Sequence, residues 1–143
     1  MDVINREVLV ERFGVWPSFH DSEVYGLRLD SGQRADGVPR LELDVHVFAV
    51  QGTLPDGRLK FVDHTLVTLE FEAVEALELQ DFGPQNVLDA LVLEDVHQAA
   101  GQQVQVTLPA NNGLDASFRC RTVTVVRAEP ITPGEHSVYG NHT

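Results

Sequence analysis

The chain is poor in cysteine, in lysine and in long apolar runs, and each shortage narrows what it can be. Its single cysteine, Cys120, can close no internal disulfide, so a stapled scaffold is left out and a reducing compartment fits. No apolar run approaches the ~18 residues that a membrane-spanning helix requires. The amino-terminal MDVINREVLVERFG scatters acids and arginines where a signal peptide would place a basic start and an apolar block. The expectation is a cytoplasmic protein, neither exported alone nor inserted in a membrane. Catalytic signatures are missing too: there is no G-x-S-x-G elbow, no G-x-x-x-x-G-K phosphate loop and no G-x-G-x-x-G turn.

What is present is negative charge. Acids number 22 against 10 bases, a net charge of −12, and Lys60 is the only lysine beside nine arginines. Such a surface repels nucleic acid phosphates and anionic lipid and attracts a basic protein. Its plainer use is to keep the chain in solution. With 143 residues the sequence makes one ordinary domain. That domain is expected over 1–128, with a polar, turn-rich tail, 129–143, loosely held.

Hydrophobic spacing sets the fold class. Ile4, Val8, Leu9 and Phe13 recur at helical intervals, which predicts a helix over 2–13 with Asp2 as cap and Gly14 as stop. After Asp21 the period changes to two. Tyr25, Leu27 and Leu29 alternate with Val24, Gly26, Arg28 and Asp30, and Leu41, Leu43, Val45 and Val47 alternate with Glu42, Asp44, His46 and Phe48. Pro55-Asp56-Gly57 turns the chain toward a third alternating strand, Val67 to Ala73. Residues 74–96 mix helix formers with short Leu-x-Leu alternation and a Gly83-Pro84 break, and strands are predicted there. Val104, Val106 and Leu108 form a further strand, and Asn112-Gly113 predicts a hairpin completed by 114–127. The expected architecture is mainly β (α+β): an N-terminal helix on a twisted antiparallel sheet folded into a sandwich or open barrel.

The densest chemistry lies in WPSFHD, residues 16–21. If that segment is extended, Ser18 and His20 lie ~6.6 Å apart along the chain, and His20 and Asp21 point to opposite faces, which disfavours a local triad. Packing explains most of the motif: Trp16 and Phe19 plug the end of a sheet, and Asp21 accepts hydrogen bonds where the strand begins. An exposed aromatic beside a His-Asp pair also makes a contact point for a protein partner. A metal-dependent hydrolase with His20, Asp21 and His64 as ligands is the competing reading, although no H-x-H, H-E-x-x-H or C-x-x-C spacing supports it. No cofactor is implied. Cys120 shares alternate positions with Ala116 and Phe118 and reads as core. His46, His97, His136 and His142 read as surface residues.

The sheet face opposite the core offers more. Glu42 and Asp44 share one side of their strand, Glu70 and Glu72 one side of theirs, and Arg119, Arg121 and Arg127 one side of the last. Facing acids are mildly destabilising unless arginines or a basic partner lie against them. A solvated face laced with ion pairs and an acidic docking face both fit, and all four acids are expected to be exposed.

WPSFHDSEVYGLRL, together with HTLVTLEFEAVEALELQDFGPQNVL at 64–88, resembles the immunity protein 50 family of bacterial polymorphic toxin systems. The resemblance covers about the central half of the chain, and Trp16, Phe19, His20 and Asp21 match its motif. It implies a cytoplasmic, non-enzymatic protein that binds and neutralises a cognate toxin in its own cell. Glu42, Asp44, Glu70 and Glu72 are then candidate contacts to a basic toxin. A self-associating structural or ligand-binding module, such as a homodimer, is the third alternative.

Overall fold

Strands built on alternation dominate the computed structural model, which describes residues 2–99 and 101–140. One helix, α1 (Glu7–Phe13), precedes β1 (Glu23–Asp30), β2 (Arg40–Thr53), β3 (Leu59–Glu72), β4 (Glu75–Gln80), β5 (Val87–Leu88), β6 (Val92–Gln98), β7 (Gly101–Leu108), β8 (Ala110–Asn112), β9 (Asp115–Cys120) and β10 (Thr122–Pro130). The structured parts of 74–96 are strands, as predicted: β4, β5 and the first part of β6. Two antiparallel sheets result, one of six strands in the order β10-β3-β2-β1-β5-β8 and one of four in the order β4-β9-β7-β6. They stack as a sandwich and do not close into a barrel.

The core follows from period two. Leu41, Leu43, Val45 and Val47 on β2, with Val67, Leu69 and Phe71 on β3, face Val104, Val106 and Leu108 of β7 and Phe118 and Cys120 of β9, all buried. Pairing of Leu43 with Leu69 and of Val45 with Val67 keeps the two inner rows in register. Phe71 and Phe118 join the sheets edge to face, with ring centroids 5.0 Å apart. Cys120 is core, as expected, and burial pushes its thiol up to about 12.

Four local expectations are corrected. The helix starts at Glu7, not at Asp2, because Ile4 is taken by the six-stranded sheet: its N–H donates to Val123 O and its carbonyl accepts from Val125 N–H, each at 2.9 Å. Gly14 does stop it, at φ 81, donating to Val10 O. In β1 a bulge separates Val24, paired with Val45, from Gly26, paired with Asp44. The extra residue puts Val24 and Leu27 on the core side and Tyr25 on the other, so Tyr25, Leu27 and Leu29 do not form one row. Leu29 is left 54% exposed near the strand's end.

The segment 114–127 is not one strand. Arg121 N–H donates to Glu72 O at 2.9 Å, and the chain changes sheets there, from β9 to β10. Arg119, Arg121 and Arg127 therefore share no strand face. Nor does Asn112-Gly113 close a simple hairpin. β7 does pair with β9, but the connection detours as β8, which pairs with β5 in the opposite sheet. Gly113 is required in that detour: its φ is 76, and a Cβ would lie 2.3 Å from Gln85 O.

Removing the ring that bridges the sheets should be expensive. Phe118→Ala is expected to lower unfolding stability by about 3–5 kcal/mol, with Phe71→Ala adding less than its own cost in the double variant. Urea titrations measure both. A loss under about 1 kcal/mol would mean the Phe118 ring is not a core joint.

Candidate functional site

The outer face of the six-stranded sheet carries two groups of side chains that derive from the same alternation that builds the core, and a third group lies in the corner that precedes β1. Where Leu41, Leu43, Val45 and Val47 turn inward, Glu42, Asp44, His46 and Phe48 must turn outward.

The first group is an acidic ladder. Glu42 lies opposite Glu70, Asp44 opposite Thr68 and Arg40 opposite Glu72. Arg28 of β1 donates to Asp44 through Nη1 at 2.7 Å and Nη2 at 3.3 Å, and through Nη2 to Glu42 at 3.3 Å. Thr68 Oγ1 adds a 2.7 Å bond to Asp44. The Arg28 guanidinium holds the Asp44 carboxyl below the usual range. Arg40 forks onto Asp36 at 2.7 and 3.0 Å and reaches Glu72 at 3.8 Å. Glu70 has no such partner among the described residues. Its partial burial, then the adjacent Glu72, push its carboxyl upward, with the facing Glu42 adding to this and Arg40 pulling the other way. Glu42, Asp44, Glu70 and Glu72 are half-buried rather than freely exposed, because the arginines and neighbouring strands cover their stems.

The second group is an aromatic and histidine cluster at the other end of the same face. Alternation predicts His46 at the surface, but it is fully buried, while His142 lies outside the described residues. The rings of Tyr25, Phe48, His64 and Tyr139 surround it, with centroids 5.0–5.8 Å away. His46 Nε2 and His64 Nδ1 share a hydrogen bond of 2.8 Å. His46 Nδ1 is buried with no partner among the described residues. Burial, then the His64 ring, push the His46 imidazolium down to about 4. The tail expected to be loosely held supplies the cover: Ile131 N–H donates to His64 O, Ser137 is buried, and Tyr139 OH donates to Asp21 O.

The third group is the WPSFHD corner, and it is not extended. Phe19 and Asp21 both occupy the left-handed region, at φ 63 and 59. The resulting fold-back aims Phe19 into the core and leaves His20 Nε2 only 3.3 Å from Asp21 Oδ2, not on the opposite face. Trp16 packs on Phe19 with centroids 5.7 Å apart, beneath the Arg6 guanidinium. His20 Nδ1 donates to Asp89 O at 2.9 Å, and that bond, then the Asp21 carboxylate, raises the exposed imidazolium above its ordinary 6.5. Asp21 takes its side-chain bond from Asn111 Nδ2, at 2.5 Å, while its own N–H donates to Leu88 O.

A family model described as immunity protein 50 matches residues 5–131. The chain belongs to the immunity protein 50 family. No curated protein and no solved structure gives a significant match. The family span takes in the corner, the ladder and both histidines, and ends before Ser137 and Tyr139, the tail residues that close the cluster. The two segments that carry the resemblance meet in space: Leu88 N–H donates to Ser22 O, Val24 N–H to Asn86 O, and Asp21 N–H to Leu88 O.

Asn86, which spacing did not single out, clamps this junction. Only 2% exposed, it accepts from Gly83 N–H and Leu114 N–H at 3.0 Å and donates to Gly83 O at 2.8 Å. Its only sequence signal was membership of the Gln-Asn-Val-Leu segment after a Gly-Pro break. Arg28, Asn111 and Tyr139 were also passed over, since each acts through partners far away in sequence. His20, Asp21 and His64 do not form the alternative metal site: among the described residues, no three His, Cys, Asp or Glu side chains are grouped to hold an ion. Among those residues, no helix is long and apolar enough to cross a membrane.

Two outcomes follow. Asn86→Ala strands the buried Leu114 N–H and the part-buried Gly83 N–H and should cost about 2–3 kcal/mol by chemical denaturation, whereas Asn86→Asp, which keeps the acceptor, should cost less. A pH effect follows from His46. Between about pH 6.5 and 4 the unfolded chain binds a proton at this residue that the folded chain refuses, so stability falls as pH drops through that window. The loss should be on the order of 2 kcal/mol by about pH 4.5. His46→Phe should flatten that part of the profile; an unchanged slope would assign it to another group.

Proposed function

We propose that this immunity protein 50 family member neutralises a cognate toxin by covering its active site, with the acidic outer face of β2 and β3 laid against a basic toxin surface. Glu70 carries the reading. It sits in the middle of the ladder, opposite Glu42 and beside Glu72, while Arg28 and Arg40 are spent on the other acids. Arg40 acts on Glu70 only through space, and a guanidinium or ammonium from outside would relieve the charge that the chain compensates only in part. Net charge of −12 adds long-range steering toward such a partner, and steric occlusion requires no catalytic group. Trp16, Phe19, His20 and Asp21 then serve as a rigid corner beside the contact surface. The compartment that fits this role is the cytoplasm of the producing cell.

The reading predicts a trade between stability and binding at one position. Glu70→Gln should raise Tm by roughly 1–2 °C, since it removes one opposed charge pair worth about 0.5 kcal/mol. The same face reversed, Glu42→Lys with Glu70→Lys, should no longer retain the basic partner. The test is capture on tagged protein from lysate of the source bacterium at moderate salt, with bound proteins identified by mass spectrometry. Equal retention of one basic, toxin-like protein by the native and charge-reversed forms would sink the acidic-face mechanism.

A further inference from the structure

The first residue of β1 is a glutamate, Glu23, that is only 4% exposed. A carboxylate so placed is costly unless hydrogen bonds or a cation offset its lost hydration. The tail provides half of the compensation: Ser137 Oγ donates to Glu23 Oε1 at 2.6 Å, and Val138 N–H donates to the same oxygen at 3.0 Å. Among the described residues, Oε2 receives no hydrogen bond and no arginine or lysine pairs with the group.

Glu23 lines a cleft of about 480 Å³ whose walls include Tyr25, Phe82, Pro84, Asn86 and Ser137. Phe82 is 58% exposed and Tyr25 41%, a large apolar outlay at a carboxylate's side. Asn86 has its carboxamide committed to Gly83 and Leu114, so the polar offer of the cleft is Glu23 itself. Glu135, at the mouth, adds a second carboxylate, 3.4 Å from His136.

We infer that this cleft receives an arginine side chain of the protein partner, with Glu23 as its anchor and the Phe82 and Tyr25 rings as its walls. The inference rests on the proposal that the partner is a basic toxin and deepens it. A purely apolar occupant would leave the buried carboxylate unpaired, and an anion would be repelled. Arginine meets both demands, with an apolar stem to pack on the rings and a planar head that donates to a carboxylate and stacks on aromatic faces. The volume suits a side chain together with the backbone that carries it. The cleft also continues the acidic ladder: Glu23 pairs with His46, Gly26 with Asp44 and Arg28 with Glu42, so anchor and ladder occupy one face, with the Asp44 and Glu42 levels about 10 and 16 Å from Glu23 along β1.

Titration of the whole protein with N-acetyl-arginine amide, followed by amide NMR, tests the cleft without the toxin. Saturating shifts should fall on Tyr25, Gly83, Asn86 and Ser137, and N-acetyl-norleucine amide should not produce them. Glu23→Gln keeps an acceptor for Ser137, and Phe82→Ala removes an exposed ring with little risk to the fold; each should weaken binding about tenfold or more. Shifts confined to the Glu42 to Glu72 ladder, equal response to norleucine, or binding unchanged in both variants overturns the cleft. If the cleft fails while a basic partner is still captured through the ladder, occlusion survives alone. Cation binding in the cleft with no basic protein retained would instead uphold the anchor and remove the occlusion.

Discussion

The inner row of β2 is the constraint on which the other features depend. Leu41, Leu43, Val45 and Val47 are each at most 1% exposed, and a one-residue slip would carry all four to the solvent side. Register is therefore fixed by burial, and the fixed register delivers Glu42, Asp44, His46 and Phe48 to the outer face without any choice at those positions. β3 repeats the arrangement, so that Glu42 meets Glu70 because Leu43 must meet Leu69. The acidic ladder is a by-product of the core in its geometry and a matter of sequence only in its charge.

That separation bears on how the ladder should be weighed. A strand pair selected for stability alone would place opposite charges, or threonine, at each facing outer position. The chain does so at Asp44 and Thr68 and at Arg40 and Glu72, yet leaves Glu42 against Glu70. Arg28, reaching over from β1, compensates Glu42 and Asp44 together, and Arg40 is shared between Asp36 and Glu72. Glu70 is left without an arginine hydrogen bond among the described residues and with only a through-space attraction to Arg40. Localised excess of this kind costs stability inside the monomer, which is the physical ground of the proposed acidic contact face.

Alternation and turn residues made the sandwich legible, including the 74–96 strands, because burial on one side of a pleated strand leaves a period of two. Arrangements governed by single backbone conformations were not legible. The bulge at Tyr25, the left-handed Phe19 and Asp21 and the sheet change at Arg121 each replace a smooth continuation by one irregular residue, and none leaves a periodic trace. The WPSFHD corner was visible as a cluster of residue types, but its fold-back was not, so His20 and Asp21 were assigned opposite faces. His46 illustrates a different loss. Its outward position was read correctly, and its burial depends on Tyr139, 93 positions later in a tail whose composition resembles a loose end.

The tail unites two groups that would otherwise be independent. Ser137 binds Glu23 while Tyr139 covers His46, and Glu23 and His46 are direct partners across β1 and β2. Tyr139 OH also reaches the Asp21 carbonyl, which ties the same tail to the fold-back of the corner. Three buried or strained features are thus secured by one short segment, and release of that segment would expose an unpaired carboxylate and a histidine pair at once. Such shared cost makes the docking cooperative, since each contact is worth most when the others are in place. A surface organised in this way presents its charged and aromatic groups in one arrangement before any partner arrives. On the proposed reading of the chain as a toxin inhibitor, such pre-ordering would lower the entropy lost on association and complement steering by net charge.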